Sequence, residues 1–359
     1  MADVTYTVPN KSGSYDGDMV VKQYTSMIID SGDTVTVDQP CRGLFILVQG
    51  DCTINGTLQM SSKGGFANPT TAGGSDNNAV DSNGLRLPFL TSGGSSSLTA
   101  SNTLFNGAGN DARNILANFR TLSSNGDIIT LVRQGANGGA SQSANNVGIA
   151  GSNGSTGQTG GGGSGGANYV GNSGAGAYGS CFAGGSGGGS VDNNGSVTGG
   201  TNWSGAGGNS ATGHGAVGSG GSGNPQGSDT NTAGDGIFTP DAEFGQGVGG
   251  LIILVVKGNL TVGSSGKILA RGGSRHCSRN GTGQWIASGG AGGGGNIVLA
   301  YKGTYTNNGT VSADGGRSPR VHNTHSITGW NNGTSTATDT YSMEGGAGGN
   351  GSVQTLQII

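Results

Sequence analysis

Proline, charged residues and aromatic residues are all scarce in this chain of 359 residues. Proline occurs 7 times, charged residues make up 10% and aromatic residues 5%. With so few prolines and no strict Gly-X-Y period, a collagen triple helix is excluded. The net charge is −3 and Lys and Arg form no cluster, so nucleic acid is not an expected partner. No apolar run reaches the roughly 18 residues of a membrane-spanning helix, so membrane insertion is not expected either.

A secretory leader is a further absence. The first residues, MADVTYTVPNKSGSYDG, contain no basic stretch followed by an apolar one. We therefore expect a protein that stays in the cytosol or leaves the cell by another route, such as assembly into a virus particle.

Motifs of catalysis and metal binding are lacking as well. The only glutamates are Glu243 and Glu344, and the nearest carboxylate pair, Asp241 with Glu243, is interpreted as a solvated turn. No GK[ST] phosphate-binding loop opens a helix. His322 and His325 have a spacing that can hold a metal, but the sequence around them supplies no third ligand. We expect no enzymatic step, no cofactor and no metal.

The cysteines follow no zinc-binding or redox spacing. They are Cys41, Cys52, Cys181 and Cys277. Free, buried thiols are the favoured interpretation. Because Cys41 and Cys52 flank one strand, their pairing stays open.

Glycine is what the chain has in abundance, 81 residues of 359, where about 7% is usual. One pattern recurs: an apolar strand, a glycine turn, a short strand, a second turn, another short strand and a Gly-Gly exit. It covers Gly43–Gly65, Gly249–Gly273 and Gly295–Gly316. The turn glycines fall into register, namely Gly50, Gly258 and Gly303 in the first turn and Gly56, Gly266 and Gly309 in the second.

Each copy predicts one layer of a stack. One copy cannot bury its own apolar face, whereas neighbouring copies can, with backbone groups paired along the ladder. Gly at the turns is expected to supply positive φ angles. The predicted fold class is all-β, a β-solenoid or a closely related β-sandwich. The stretches after the exits, 66–126, 136–248, 274–294 and 317–351, would emerge on one side and form a binding face.

Other stretches complete the organisation. Met27–Ile29, and Val35 with Val37, have strand patterns, and DARNILANFRTL predicts one helix, capped by Asp111. Asp127–Gly135 resembles a partial copy, and the C-terminal GGAGGNGSVQTLQII resembles the start of a fourth. The predicted units are an N-terminal β region (1–65), an insertion with a helix and a strand (66–134), a glycine-rich block (135–248) and C-terminal β repeats (249–359).

The richest glycine tracts allow two interpretations. They are Gly160–Gly166, Gly184–Gly189, Gly289–Gly295 and Gly345–Gly351. One interpretation is a flexible or disordered linker. The other is a set of packed polyglycine II helices, which are left-handed, have three residues per turn and bond sideways to their neighbours. Such packing needs glycine on every buried edge, and it must offset the large entropy that glycine loses on ordering.

Apolar strand segments followed by glycine tracts, interrupted by short polar and aromatic segments, resemble the adhesins at the tips of T-even-like phage long tail fibres. The resemblance is architectural and covers roughly 135–359. It implies a sandwich of polyglycine II helices, with distal loops that contact a bacterial receptor. Repeat copies on both sides of the glycine block are a departure from that family.

Aromatic side chains in the insertions are the candidate receptor contacts. All three tryptophans lie in insertions, whereas a tryptophan that only filled a core would more often sit on a strand. An aromatic face beside amide and hydroxyl groups suits a surface receptor; capping of a glycine lattice is the alternative role. The candidates are Trp203, Trp285, Trp330, Tyr341, Tyr169, Tyr178, His322 and His325.

The leading hypothesis is a non-enzymatic receptor-binding adhesin on a phage virion, most simply a tail-fibre protein. Its expected partners are a bacterial surface glycan or outer-membrane protein, other virion proteins and further copies of itself. The alternative is a structural role, as a capsid decoration protein or a subunit of an extracellular filament or sheath. A polysaccharide depolymerase is a third hypothesis, for which acidic residues are few.

Overall fold

The computed structural model describes the two ends of the chain and a set of segments between them. The described residues are 2–9, 19–39, 41, 43–64, 135–140, 148–164, 167–168, 176, 179, 183–185, 187, 191–192, 203–204, 248–273, 290–317 and 345–358. Within them the chain forms 17 strands and no helix. Consequently, no helix in this part of the chain is long and apolar enough to cross a membrane.

Three parallel sheets contain most of these strands, which are numbered in chain order. Sheet I has the spatial order β17 (Ser352–Gln357), β14 (Asn296–Tyr301), β11 (Leu251–Val256), β5 (Leu44–Val48), β2 (Val20–Tyr24). Sheet II is β15 (Tyr305–Asn307), β12 (Leu260–Val262), β6 (Cys52–Ile54), β3 (Met27–Ile29). Sheet III is β1 (Val4–Tyr6), β4 (Thr34–Val37), β7 (Thr57–Gln59), β13 (Lys267–Leu269), β16 (Thr310–Ser312).

The chain visits the three sheets in the same order each time. Four stretches, 20–37, 44–59, 251–269 and 296–312, each supply one strand to sheet I, then sheet II, then sheet III. We call each stretch a layer, and the four together the stack. Strands of neighbouring layers pair in parallel and in constant register. β1 extends sheet III at one end of the stack, and β17 extends sheet I at the other.

The registered glycines lie at the corners between sheets. The Gly258 N–H donates to the Gly50 carbonyl at 3.0 Å, and the Gly303 N–H donates to the Gly258 carbonyl at 2.9 Å. A Cβ on Gly258 or Gly303 would lie closer than 3.0 Å to the carbonyl of the layer below. Among the described glycines, only Gly32, Gly43 and Gly157 have positive φ. The expectation of positive φ is therefore wrong for the registered glycines, where close approach between layers is what requires glycine, although Gly32, between β3 and β4, does have it.

The interior of the stack is an apolar cluster shared by all four layers. Alternate residues of each strand point inward, as Leu44, Ile252 and Ile297 do in neighbouring strands of sheet I. All three are fully buried. Such stacking removes apolar surface from water along the whole stack. Each Å² of buried apolar surface stabilises the fold by about 25 cal/mol.

The central strands of sheet I, β5, β11 and β14, are buried on the other face too. Phe45, Ile253 and Val298 alternate with the inward-facing residues, and each is 0% exposed. Burial on both faces explains why β5 and β11 are continuous apolar runs, LFILV and LIILVV, instead of alternating patterns.

Polar groups close the end of the stack that carries β1. The Tyr6 and Tyr24 hydroxyls are hydrogen-bonded at 2.5 Å, and Lys22 Nζ lies 4.9 Å from the centre of the Tyr6 ring. Burial, and then the bond to Tyr24, raise the pKa of Tyr6 above its usual value. The opposite end has the stacked rings of Tyr301 and Tyr305.

Several sequence expectations can be compared directly with this fold. The all-β class is confirmed for the described residues, as are the strands at Met27–Ile29 and at Val35 and Val37. Cys41 and Cys52 are free and buried, so they do not pair. The helix from Asp111 and the strand expected before Gly135 lie outside the described residues, as do Cys181 and Cys277.

Candidate functional site

Glycine-rich segments occupy the place where one layer connects to the next. The chain leaves the stack after a strand of sheet III and returns before a strand of sheet I. Seven segments form what we call the glycine lattice, namely segment 1 (135–140), segment 2 (148–154), segment 3 (158–164), segment 4 (270–273), segment 5 (290–295), segment 6 (313–317) and segment 7 (345–351). Segments 4 and 6 leave the stack, and segments 5 and 7 return to it.

Backbone hydrogen bonds of segment 5 repeat every three residues. The N–H groups of Ala291 and Gly294 both donate to segment 7, each at 2.9 Å. Those of Gly292 and Gly295 both donate to segment 4, at 3.1 and 2.8 Å. Gly293 donates to a third neighbour, Gly185, at 2.8 Å. Residues three apart therefore face the same neighbour, and the segment bonds in three directions where a strand would bond in two.

Segment 3 follows the same rule. Its Gly160 and Gly163 donate to segment 5 at 2.8 and 3.0 Å, and its Gly161 and Ser164 donate to segment 2 at 3.0 and 2.8 Å. Segment 3 also accepts bonds from segments 1 and 7. It is thus surrounded by glycine-rich neighbours whose peptide groups pair with its own, as buried backbone requires.

Close approach explains the glycine content of the lattice. A Cβ on Gly160 or Gly163 would collide with carbonyl oxygens of segment 7, well inside 3.0 Å. Where another residue occupies a buried position of the lattice, it is small, as with Ala291, Thr159 and Ser164, all 0% exposed. Carbonyl oxygens lying against the Cα positions are the geometry of weak Cα–H···O contacts, which recur between closely packed backbones.

The directions of the segments define a distal end, the end of the lattice away from the stack. Segment 3 is antiparallel to returning segment 5 and so runs outward; segment 1 is parallel to segment 3, and segment 2 is antiparallel to it. Hydrogen bonds join residues of six segments at the distal level. This level contains Ile149, Ser164, Gly273, Ala291, Gly316 and Gly346.

Four connections begin and end at the distal level. They are residues 141–147, 165–175, 274–289 and 318–344. Described ends of three of the expected insertions, 136–248, 274–294 and 317–351, lie in this lattice, whereas the fourth, 66–126, lies outside the described residues. The lattice is therefore a platform that brings separate parts of the sequence to one end.

Most candidate receptor contacts belong to these connections. Tyr169, Trp285, Trp330, Tyr341, His322 and His325 lie in them and outside the described residues. Tyr178 is also outside the described residues, between Gly176 and Gly179, which both bond to segment 1.

Trp203 is the one candidate whose backbone is described. It begins β10 (Trp203–Ser204), which is antiparallel to β9 (Val191–Asp192), and β9 is parallel to β8 (Ala167–Asn168). β8 belongs to the connection 165–175, just beyond the end of segment 3. In this small sheet Trp203 pairs with Asp192, which pairs on its other side with Asn168, the residue before Tyr169.

An amide network at the base of the lattice was not predicted from the sequence. Asn296 is fully buried; its Nδ2 donates to the Gly157 carbonyl at 3.3 Å. Its Oδ1 accepts from Ser352 Oγ at 2.8 Å and from Gln354 Nε2 at 3.2 Å. Gly157, with φ of 80°, lies in the turn between segments 2 and 3. The available signal was an amide at the start of the apolar strand NIVLAY.

The lattice carries little charge. Its charged residues are Arg271, Asp314 and Arg317, and Arg271 Nε donates to Ser312 Oγ at 2.8 Å. In the described part of the chain, no group of three His, Cys, Asp or Glu side chains could hold a metal. What these segments offer a partner is peptide, hydroxyl and amide groups on a fixed frame.

Comparisons with known proteins add no relative to this picture. No family model, no curated protein and no solved structure matches the chain. The functional argument therefore depends on the sequence and on the geometry of the lattice.

Proposed function

We propose that this chain is a receptor-binding adhesin on the surface of a phage virion, built as a β-solenoid that carries a bundle of polyglycine II helices. The adhesin recognises a component of the bacterial surface without catalysing a reaction. Its other partners are virion proteins and further copies of itself.

The solenoid assignment is supported by the repeated path of the chain. Each layer contributes one strand to each of three parallel sheets, and the interior residues of successive layers align. A coil that contacts only its neighbours is the unit of a solenoid. The polyglycine II assignment is supported by the period of three in segments 3 and 5 and by bonds that run between segments.

One observation carries the adhesin proposal, namely the return of four connections to one level of the lattice. Recognition loops work best on a rigid frame, because a preorganised loop loses less entropy on binding. These four connections contain two of the three tryptophans of the chain, and β8–β10 links the third to them.

The test is the location of the chain on its native particle. Antibody fragments against this chain, viewed by electron microscopy, should label only the tips of fibres or tails. The purified chain should also compete with the particle for adsorption to its host cells. Label spread over a shell, together with no competition, would contradict the proposal.

A structural role is the second candidate, and the ends of the stack favour it. Three of the four exposed large apolar side chains in the described residues lie on strands of the first layer or on β17, namely Val21, Ile28 and Val353. Exposed apolar groups beside sheet edges are typical of subunit contacts. A capsid decoration protein or filament subunit would show many copies per particle and label along its whole surface.

A further inference from the structure

The two ends of the stack are incomplete in opposite ways. At one end β17 extends sheet I, and no described strand continues sheets II and III beside it. At the other end β1 extends sheet III, and no described strand continues sheets I and II. We call these two surfaces the β17 end and the β1 end. Each end layer therefore has one strand where the complete layers have three.

The apolar interior is open at the β17 end. The inward column of sheet I runs through Ile252 and Ile297 to Val353 on β17. The first two are fully buried, whereas Val353 is 41% exposed. The corresponding columns of sheets II and III end at Tyr305 and Val311, which pack against the interior and are only half-buried. Interior side chains are thus left uncovered where sheets II and III lack a further strand.

The interior is closed at the β1 end. Val20 and Met27, the first inward residues of β2 and β3, are 2% and 1% exposed. Tyr6 of β1 is 7% exposed, and its hydroxyl is hydrogen-bonded to that of Tyr24. Val4 and Tyr6 pack against the interior from a strand of sheet III. Such a strand, with apolar inward residues, is what the β17 end lacks.

The backbone edges at the two ends also match. In a parallel ladder, alternate residues bond to opposite sides of a strand. The Ser352 N–H donates to the residue before β14 at 3.2 Å, and the Tyr6 carbonyl accepts from the residue after β4 at 2.9 Å. The neighbouring residues Val353 and Thr5 consequently turn their peptide groups away from the stack. Strand edges of this kind are templates for a further strand.

We propose that copies of this chain stack end to end, with the β17 end of one copy against the β1 end of the next. β17 then fills the sheet I position beside β2 of the next copy, and β1 of that copy fills the sheet III position beside β16. The contact continues the interface that joins each layer to its neighbour, with the same strand direction. Sheet II is interrupted at the contact, where both ends carry tyrosine rings with hydroxyl groups.

A second copy suits this place because each end supplies the strand that the other end lacks. Two different surfaces meet in such a contact, so it repeats from copy to copy and builds an open row or a ring. Because the layers connect through the lattice on one side of the stack, a row carries its lattices along one side. The contact uses no residue of the lattice, so the inference does not depend on the adhesin function proposed above.

Sedimentation velocity of the full chain measures this self-association. The mass should rise with concentration in whole multiples of one chain. Val353→Asp places a charge on the open interior, and Thr5→Pro removes the outward N–H of β1. Each variant alone should self-associate at least about tenfold more weakly than the unchanged chain. Ile149→Asp changes a similarly exposed residue of the lattice, 46% exposed, and is the matched control that should associate normally.

A mixture of the two variants tests the direction of the contact. Val353→Asp keeps an intact β1 end and Thr5→Pro keeps an intact β17 end, so the mixture should form pairs and nothing larger. If denaturant unfolding shows that a variant has lost its fold, Thr355→Lys replaces Val353→Asp, and Val21→Pro on β2 replaces Thr5→Pro. An unchanged chain that stays single at every concentration would overturn the proposal, as would variants that associate alone or fail to pair when mixed.

Discussion

Side chains hold the stack together, whereas the peptide backbone holds the glycine lattice together. In the stack, inward side chains such as Leu254 and Ile268 are fully buried in a shared apolar cluster. In the lattice, segments 3 and 5 have almost no side chains to bury, and their contacts are peptide hydrogen bonds and Cα positions against carbonyl oxygens. The comparison teaches that tight backbone packing can order a region that has no hydrophobic core.

The two regions also differ in what they tolerate. A stack can replace one apolar residue by another of similar volume at small cost. A lattice whose neighbours lie at carbonyl contact distance tolerates no added Cβ on its inner edges. We therefore expect larger side chains to be tolerated in the connections between lattice segments instead of within the segments.

Removing an interior side chain from the stack should have the largest effect. Leu254→Ala should lower the free energy of unfolding by about 2–5 kcal/mol, because it removes a fully buried side chain and leaves a cavity. Denaturant unfolding of the purified chain measures it. Thr261→Ala, on the outer side of sheet II and only half-buried, is the control and should change stability by less than about 0.5 kcal/mol. Equal effects of the two variants would contradict the assignment of the interior.

Adding one carbon to the lattice should come next. Gly160→Ala forces a Cβ into a carbonyl oxygen of segment 7, and overpacking of this kind costs about 1–3 kcal/mol. The same unfolding measurement applies. Gly250→Ala is the control, because its nearest neighbour is the flexible end of Met60, at 3.0 Å. A neutral Gly160→Ala would mean that the lattice is loosely packed.

Breaking the link between the two regions should have an effect that is comparable in size but confined to one turn. Asn296→Ala removes the amide that joins the Gly157 turn to β17, and an unsatisfied buried group costs about 1–3 kcal/mol. Amide hydrogen exchange should speed up in residues 155–158 and less in β11. Asn308→Ala, at an exposed corner of the stack, should leave that turn unchanged. Faster exchange throughout the stack would instead indicate that Asn296 supports the whole fold.

The smallest effect concerns the thiols of the stack. Burial raises the pKa of both Cys41 and Cys52 from 9.0 to about 12. Neither thiol should react with a thiol reagent at pH 8 in the native chain, and both should react after unfolding. A chain that carries both Cys181→Ser and Cys277→Ser leaves only Cys41 and Cys52 to react with the reagent. Rapid native labelling would show that the stack opens readily.

The same shift gives a pH dependence with a definite sign. In the folded chain the neutral thiol is favoured, so the stability that these groups contribute is complete below their usual pKa of 9.0. It is lost as the pH rises from about 9 to about 12, because the thiols ionise first in the unfolded chain. Stability in a variant with Cys52→Ala should fall less over this range than in the unchanged chain.

The stacked layers could be predicted from the sequence because the corners between sheets require glycine at aligned positions. Gly50, Gly258 and Gly303 align in the sequence and bond to each other in the structure. The layer 20–37 was not recognised as a copy, since Thr25 and Ser26 replace glycine at its first corner. Positive φ was the wrong reason for the corner glycines, because sequence alone does not distinguish a turn from a close approach.

The sequence left a linker and packed glycine helices open as alternatives, and it did not predict how the lattice segments are arranged. A tract such as GGGGSGG permits polyglycine II packing, yet it contains no side-chain pattern that selects a neighbour or a direction. The antiparallel pairing of segments 3 and 5 depends on where distant layers deliver the chain. The sequence likewise did not predict which candidate site residues come together. In the described structure, only the backbone of Trp203 is linked to one of the four connections, 165–175, through β9 and β8.

Amide hydrogen exchange tests most directly whether the glycine lattice is an ordered platform. We predict that segments 3 and 5, residues 158–164 and 290–295, are protected to the same degree as β11 in the centre of sheet I. Exchange of these segments at the rate of an unstructured chain, while β11 stays protected, would contradict the account.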